Sequence, residues 1–233
     1  MSAPIGLQPT AELAERVLLP GDPARALLLA ESLLEGPKMF NHHRGLWGYT
    51  GLAPDGASLT IQSTGMGGPS AAIVTHELID LGARRLLRVG TCGALAPGLE
   101  LGDVVSATEA IAADGTSRAL GAGERVAASP DLLEALGGAA QHAGPVVTTD
   151  VFYDRRGLEP GWREAGALAV EMETATVFAL AAARGVQAAA LLVVSDLVLP
   201  RRARIDREEL RAAEQRMGRS ALAALSGITE RQL

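Results

Sequence analysis

The run Leu86-Leu87-Arg88-Val89-Gly90-Thr91-Cys92-Gly93 sets an arginine inside an apolar strand and follows it with glycines, a hydroxyl and a thiol. An arginine buried without a partner is costly. A Gly-Thr-Cys-Gly turn offers a hydroxyl and backbone amides that approach a ligand closely. A bound phosphate satisfies all of these groups; an arginine at a sheet edge beside a plain turn is the structural alternative. A second anion-friendly place is Pro20-Gly21-Asp22-Pro23-Ala24-Arg25. There a strand passes into a helix, so that the first amides of the helix and the Arg25 guanidinium converge. The turn Thr64-Gly65-Met66-Gly67-Gly68-Pro69-Ser70 admits a ligand, or another backbone, at close range.

Two acidic places complement these cations. Val170-Glu171-Met172-Glu173-Thr174 brackets a methionine with carboxylates where a buried strand meets an alanine-rich helix. Charge is expensive there unless something pairs with it, and vicinal sugar hydroxyls are suitable partners; acids favoured by the helix dipole are the alternative. Val193-Val194-Ser195-Asp196 sets an acid at the mouth of an apolar run, where ligands collect in α/β sheets. Asp196 is a candidate general acid, or a cap for the next turn. The segment Asn41–Gly51 clusters His42, His43, Arg44, Trp47 and Tyr49 between glycines, which suits a hairpin reaching into a site or across a subunit contact. Neighbouring histidines on a strand point to opposite faces, and no cysteine or acid spacing completes a metal site around them.

The elements that must position these groups alternate along the chain. Strand-length apolar runs fall at Arg16–Pro20, Ser58–Gln62, Arg85–Gly90, Asp103–Thr108, Val146–Thr148, Ala167–Glu171 and Ala188–Ser195, which reads as a parallel or mixed sheet. Helical spacing marks Pro69–Leu81, Pro130–Leu136 and Thr174–Arg184, the last stopped by Gly185. A final helix runs over Asp206–Leu225 with Asp206 as N-cap. Leu199–Arg204 reads as mobile and Ala113–Ala127 as a surface loop.

With 233 residues, 48% of them apolar and only 3% aromatic, the chain suits small side chains packed tightly in three layers, helices on a central sheet. The formal charge of −6 argues against nucleic acid as the main partner. A single cysteine, Cys92, leaves no intrachain disulfide and no cysteine-based zinc cluster, as expected in a reducing compartment. Residues 1–10 lack the pattern of a signal peptide, and no apolar run reaches membrane-spanning length. A soluble, cytoplasmic protein without membrane association is the expectation.

Taken in order, Gly-Asp-Pro-Ala-Arg (21–25), His-Arg-Gly-Leu-Trp-Gly-Tyr-Thr-Gly (43–51), Gly-Met-Gly-Gly-Pro-Ser (65–70), Arg-Val-Gly-Thr-Cys-Gly (88–93), Glu-Met-Glu (171–173) and Val-Val-Ser-Asp (193–196) resemble the hexameric bacterial purine nucleoside phosphorylases. They form part of a wider family with uridine phosphorylases and methylthioadenosine nucleosidases. The resemblance runs from about Arg16 to Asp196. It implies a single α/β domain over the whole chain, a three-layer α/β/α sandwich around a central mixed β-sheet.

It also implies roles. Gly21, Arg25, Arg88 and Thr91 hold phosphate, joined by Arg44 from a neighbouring subunit. Glu173 binds the ribose hydroxyls with Met172 packed on the sugar and Glu171 beside it; Cys92, Gly93 and Phe152 form the base pocket; and Asp196 protonates the departing purine. The implied reaction is reversible phosphorolysis of purine nucleosides in a homohexamer, with phosphate as co-substrate and neither metal nor organic cofactor. Two features depart from the family pattern. The N-terminal histidine that reaches the sugar is missing, with Pro4 or Ile5 at the nearest position. The arginine that assists the acid falls in a gapped stretch, leaving Arg202, Arg204, Arg207 and Arg211 as candidates. Uridine phosphorylase is the alternative enzyme. A hydrolytic nucleosidase has no need for Arg25, Arg44 and Arg88, and a nucleoside-binding protein without turnover is the non-enzymatic alternative.

Overall fold

The computed structural model describes residues 4–199 and 201–226; the first and last residues of the whole-chain domain, and Pro200 within the expected mobile segment, lie outside them. In chain order the elements are β1 (Arg16–Leu19), α1 (Pro23–Leu33), β2 (Glu35–Asn41), β3 (Gly48–Leu52), β4 (Ser58–Gln62), α2 (Gly68–Leu81), β5 (Arg85–Ala94) and β6 (Val104–Ala112). They continue with α3 (Gly115–Ala119), β7 (Arg125–Ala127), α4 (Pro130–Ala135), β8 (His142–Thr148), α5 (Glu159–Glu164) and β9 (Ala169–Glu171). The chain closes with α6 (Thr174–Arg184), β10 (Gln187–Leu197), β11 (Ala203–Arg204) and α7 (Arg207–Ser226).

The strands form one mixed sheet in the order β11-β10-β6-β8-β9-β5-β1-β4-β3-β2. Because β10 also pairs with β5 in parallel, β5, β10, β6, β8 and β9 close into a ring, while β1, β4, β3 and β2 extend the sheet beyond it. Period-two alternation divides the apolar residues between two layers. Val17, Leu19, Leu86, Ala188, Ala190 and Leu192 face the core under α2 and α6. Leu18, Leu87, Val89, Ala189, Leu191 and Val193 face the core under α1 and α7. Arg88 has the parity of Leu86 and so projects toward the α6 side.

Two expectations are corrected. Gly-Thr-Cys-Gly is no turn: β5 continues to Ala94, paired with β10 at Thr91↔Val193, Cys92↔Val194 and Gly93↔Asp196. The partner strand runs alongside for the whole of this length, and laddering satisfies amides that a turn would leave to a ligand. The break in register falls on β10 instead, between Val194 and Asp196. The extra residue there, Ser195, is a bulge that re-aims the acid beside it. Ala113–Ala127 likewise contains α3, capped by Asp114 accepting from Ser117 N, and β7, paired with β6. Its helix is too short for a visible period, so the Asp-Gly-Thr-Ser cap was the available signal.

β6 runs on to Ala112 and β8 starts at His142, each four residues beyond the expected strand, while the helix boundaries at Asp206 and Gly185 agree. Glu208 N and Glu209 N donate to Asp206 Oδ1 at 2.7 and 3.2 Å, and Gly185 ends α6 in the left-handed region. The segment expected to be mobile ends in β11, antiparallel to β10 with Asp196 opposite Arg204.

Candidate functional site

Two buried arginines meet at one end of a cavity of 430 Å³, within the range of about 300–1,000 Å³ usual for small-molecule sites. Asp22 caps α1 and Pro23 opens it, so Arg25 projects from the first turn. Its Nε donates to Glu214 Oε1 at 2.7 Å, and Nη1 lies 3.4 Å from the Val89 carbonyl. Arg88 comes from β5: Nε donates to Glu171 Oε2 at 3.0 Å and Nη2 to Glu173 Oε2 at 2.5 Å. Its Nη1 is buried with no partner among the described residues, a donor that an anion in the cavity would satisfy. Gly90 makes room for this side chain, since a Cβ there would stand 2.8 Å from Arg88 Nη2. Gly21 and Thr91 line the same end.

The two acids beside the arginines differ in what they have left to offer. Glu171 accepts from Arg88, from the Thr148 hydroxyl, and from the backbone N–H groups of Glu173 at 2.8 Å and Thr174 at 2.9 Å. Its oxygens are engaged by protein, which makes it an anchor for Arg88 and for the start of α6. Glu173 accepts from Gly67 N at 2.5 Å and from Arg88 and lines the cavity beside Met172. Burial pushes its carboxyl above the ordinary range; Arg88 opposes this and Glu171 reinforces it. Burial works against the Arg88 charge too, but Glu173 and Glu171 outweigh it and hold the guanidinium protonated.

At the other end Cys92, Gly93, Phe152, Trp162, Val198 and Asp196 form the wall. Asp196 sits on the bulge with Oδ1 accepting from Arg204 Nε at 2.8 Å and Oδ2 from the Ser195 hydroxyl at 2.9 Å. Phe152 is 45% exposed. Tyr153 meets it edge-on at 4.9 Å, and the Arg202 guanidinium lies 6.0 Å above its ring. Burial drives the Cys92 thiol far upward, so it is a neutral wall and no nucleophile.

The structure therefore gathers Gly21, Arg25, Arg88, Thr91, Cys92, Gly93, Phe152, Glu171, Met172, Glu173 and Asp196 around one cavity. Arg44 is elsewhere, exposed at φ 57° in a 3₁₀ turn (His43–Gly45) between β2 and β3. Pro4 and Ile5 do not line the cavity; the Ile5, Gly6 and Leu7 amides donate to the Glu77 carboxylate. Of the four candidate arginines, Arg204 pairs with Asp196 and Arg202 covers Phe152, whereas Arg207 and Arg211 are exposed away from the cavity. Glu214 and Trp162 were missed. Glu214 carried a signal, an acid on the apolar stripe Leu210, Ala213, Met217, Ala221 of the last helix.

Comparison with known proteins gives the family. The family model described as the phosphorylase superfamily matches residues 15–230. The chain is 42% identical over 208 residues to a DeoD-type purine nucleoside phosphorylase of Geobacillus kaustophilus, covering 85% of this chain and 87% of that one. It is also 42% identical over 209 residues to the DeoD-type enzyme of Alkaliphilus metalliredigens, covering 85% and 89%. Among solved structures, uridine phosphorylase of Vibrio fischeri superposes with a TM-score of 0.84 at 27% identity, covering 91% of each chain. With the matched model spanning nearly all of its length, the chain belongs to the phosphorylase superfamily.

Proposed function

We propose that this protein is a purine nucleoside phosphorylase, a pentosyltransferase that converts a purine nucleoside and phosphate reversibly into free base and pentose 1-phosphate. The observation that carries the reading is the paired arginines: Arg25 and Arg88 are each held at Nε by a glutamate, and Arg88 Nη1 is left without a partner in a cavity that also holds Glu173 and Asp196. Hydrolysis needs no such anion site. The relatives at 42% identity carry purine names, whereas the uridine phosphorylase structure is 27% identical.

In this reading phosphate sits on Arg25, Arg88, Thr91 and Gly21, positioned by the arginines with its charge screened. One of its oxygens bonds to the anomeric carbon as the bond from that carbon to the base nitrogen breaks. The electron pair of that bond leaves with the purine. Glu173 holds the ribose hydroxyls and Met172 packs on the sugar. Asp196 passes a proton to the five-membered-ring nitrogen of the departing base, a step worth about 10²–10⁴ in rate, and Arg204 stabilises the carboxylate left behind. The reaction requires neither metal nor organic cofactor. Arg44, exposed on its turn, reaches phosphate in a neighbouring subunit of a homo-oligomer, a hexamer by resemblance, working in the cytoplasm.

The test is release of free base from inosine, adenosine, guanosine and uridine, each with and without phosphate. Phosphate-dependent release from purine nucleosides is the expected result. Turnover of uridine alone would establish the pyrimidine enzyme, phosphate-independent release a nucleosidase, and binding without turnover a non-catalytic protein. A monomer with full activity at assay concentration would sink the role of Arg44.

A further inference from the structure

The last helix, α7, contributes no side chain to the wall of the cavity, yet one of its residues is bound to the phosphate-end machinery. Glu214 is 8% exposed and Arg25 is 7% exposed. The glutamate takes Nε of the guanidinium, not one of the two terminal nitrogens. An arginine gripped at Nε has its rotation about the last side-chain bonds fixed, and the grip itself uses neither terminal nitrogen; in Arg25 one of these, Nη1, also lies 3.4 Å from the Val89 carbonyl. Glu171 grips Arg88 in the same way.

The packing that brings Glu214 there is specific. One turn after Glu214 on α7 is Gly218, and one turn after Arg25 on α1 is Leu29. A Cβ on Gly218 would stand 2.4 Å from Leu29 Cδ2. The helices approach closely at that contact, and the same two faces, one turn back, carry the ion pair.

We propose that Glu214 is a positioning residue for the phosphate reaction, orienting the Arg25 fork toward the anion from the last helix. This rests on the phosphorylase reading above. In that role Glu214 raises affinity for phosphate without touching the nucleoside. A glutamate that merely competed with phosphate for Arg25 would lower that affinity.

Calorimetric titration with inorganic phosphate, together with separate KM values for phosphate and nucleoside, distinguishes these roles in the wild type, Glu214→Ala, Glu214→Gln, Arg25→Ala and the Arg25→Ala/Glu214→Ala double variant. Glu214→Ala is expected to weaken phosphate binding about tenfold or more and to leave the nucleoside KM within about twofold. Glu214→Gln keeps an acceptor for Nε and falls between wild type and alanine. In the Arg25→Ala background the second substitution adds no further loss of phosphate affinity.

Unchanged or tighter phosphate binding in Glu214→Ala overturns the proposal, as does an equal loss in the Arg25→Ala background. Should Glu214→Ala fail to fold, Glu214→Asp draws the carboxylate back by one methylene and must show the same selective loss for phosphate. A wild type that binds no phosphate would overturn the anion-site reading itself, an outcome separate from any variant result.

Discussion

The two ends of the cavity are built differently. At the end proposed for phosphate every charged group is gripped: Arg25 by Glu214, Arg88 by Glu171 and Glu173, and Glu173 also by the Gly67 amide. At the end proposed for the base the acid's partner, Arg204, has a side chain 70% exposed, and Phe152 is nearly half exposed beneath Arg202. The difference matches what the proposed reading asks of each end. An anion binds through directional hydrogen bonds, so its donors gain from being fixed beforehand. A flat base binds by stacking and one proton transfer, which tolerates a looser wall.

Arg88→Ala is the harshest way to break this contrast. It removes a charge from the anion site and leaves Glu171 and Glu173 buried without their cation. Activity with phosphate is expected to fall by about three orders of magnitude or more, with a lower melting temperature from the stranded carboxylates. Steady-state kinetics and thermal melting check both. A variant that keeps phosphate affinity would show that the buried guanidinium serves the fold alone.

Asp196→Asn tests the other end with a smaller loss, about 10²–10³ in kcat for ordinary purine nucleosides. The asparagine cannot supply the proton, but it leaves phosphate binding intact. A nucleoside already methylated at the five-membered-ring nitrogen carries its positive charge beforehand, so its cleavage should suffer far less. Equal loss with both substrates would remove Asp196 from the proton transfer.

The gripped end also predicts a pH effect. Burial raises the Glu173 carboxyl, so its folded-state value lies above its unfolded value. The stability linked to that shift is present below the unfolded value and is lost as pH rises through the folded one. Melting in phosphate-free buffer from about pH 4 to about pH 8 should therefore show a loss in the wild type that is absent in Glu173→Gln. A wild type and variant that track one another across the range would mean that Arg88 alone balances the charge.

How much of this the sequence disclosed follows the same division. β1, β4, β5, β6, β8, β9 and β10, with α2, α4, α6 and α7, were legible from period and caps, because Asp206, Gly185 and Pro130 mark boundaries locally, whereas β7 and β11 fell in stretches that read as a loop and a mobile segment. Arg88 and Glu173 were legible because a charge set in or beside an apolar run is conspicuous anywhere, and Arg25 because it follows a helix-opening Gly-Asp-Pro. The pairing of Asp196 with Arg204, and not with Arg202, Arg207 or Arg211, was not, since it depends on a two-residue strand laid against the Ser195 bulge. Nor was the continuation of β5 through Gly93: glycines in a strand read as a turn until the partner strand is known. The Arg25–Glu214 pair lies 189 positions apart in the chain, and only the packing of α1 on α7 brings it together.

The smallest expected effect belongs to the loosest contact. Phe152 lines the base end, yet 45% of it is exposed and its visible partners are Tyr153 edge-on and Arg202 above the ring. If it stacks on the base, Phe152→Ala removes a contact of about 1 kcal/mol, which is a rise of about fivefold in the nucleoside KM. The KM for phosphate should not move, because the ring's contacts are Tyr153 and Arg202, not Arg25 or Arg88. Removing the ring also deprives Arg202 of its face, so Arg202→Ala made on top of Phe152→Ala should add almost nothing. Measured nucleoside KM values for the two single variants and the double decide it. Fully additive losses would mean that Arg202 reaches the base independently, and the base end would then be as deliberately gripped as the phosphate end.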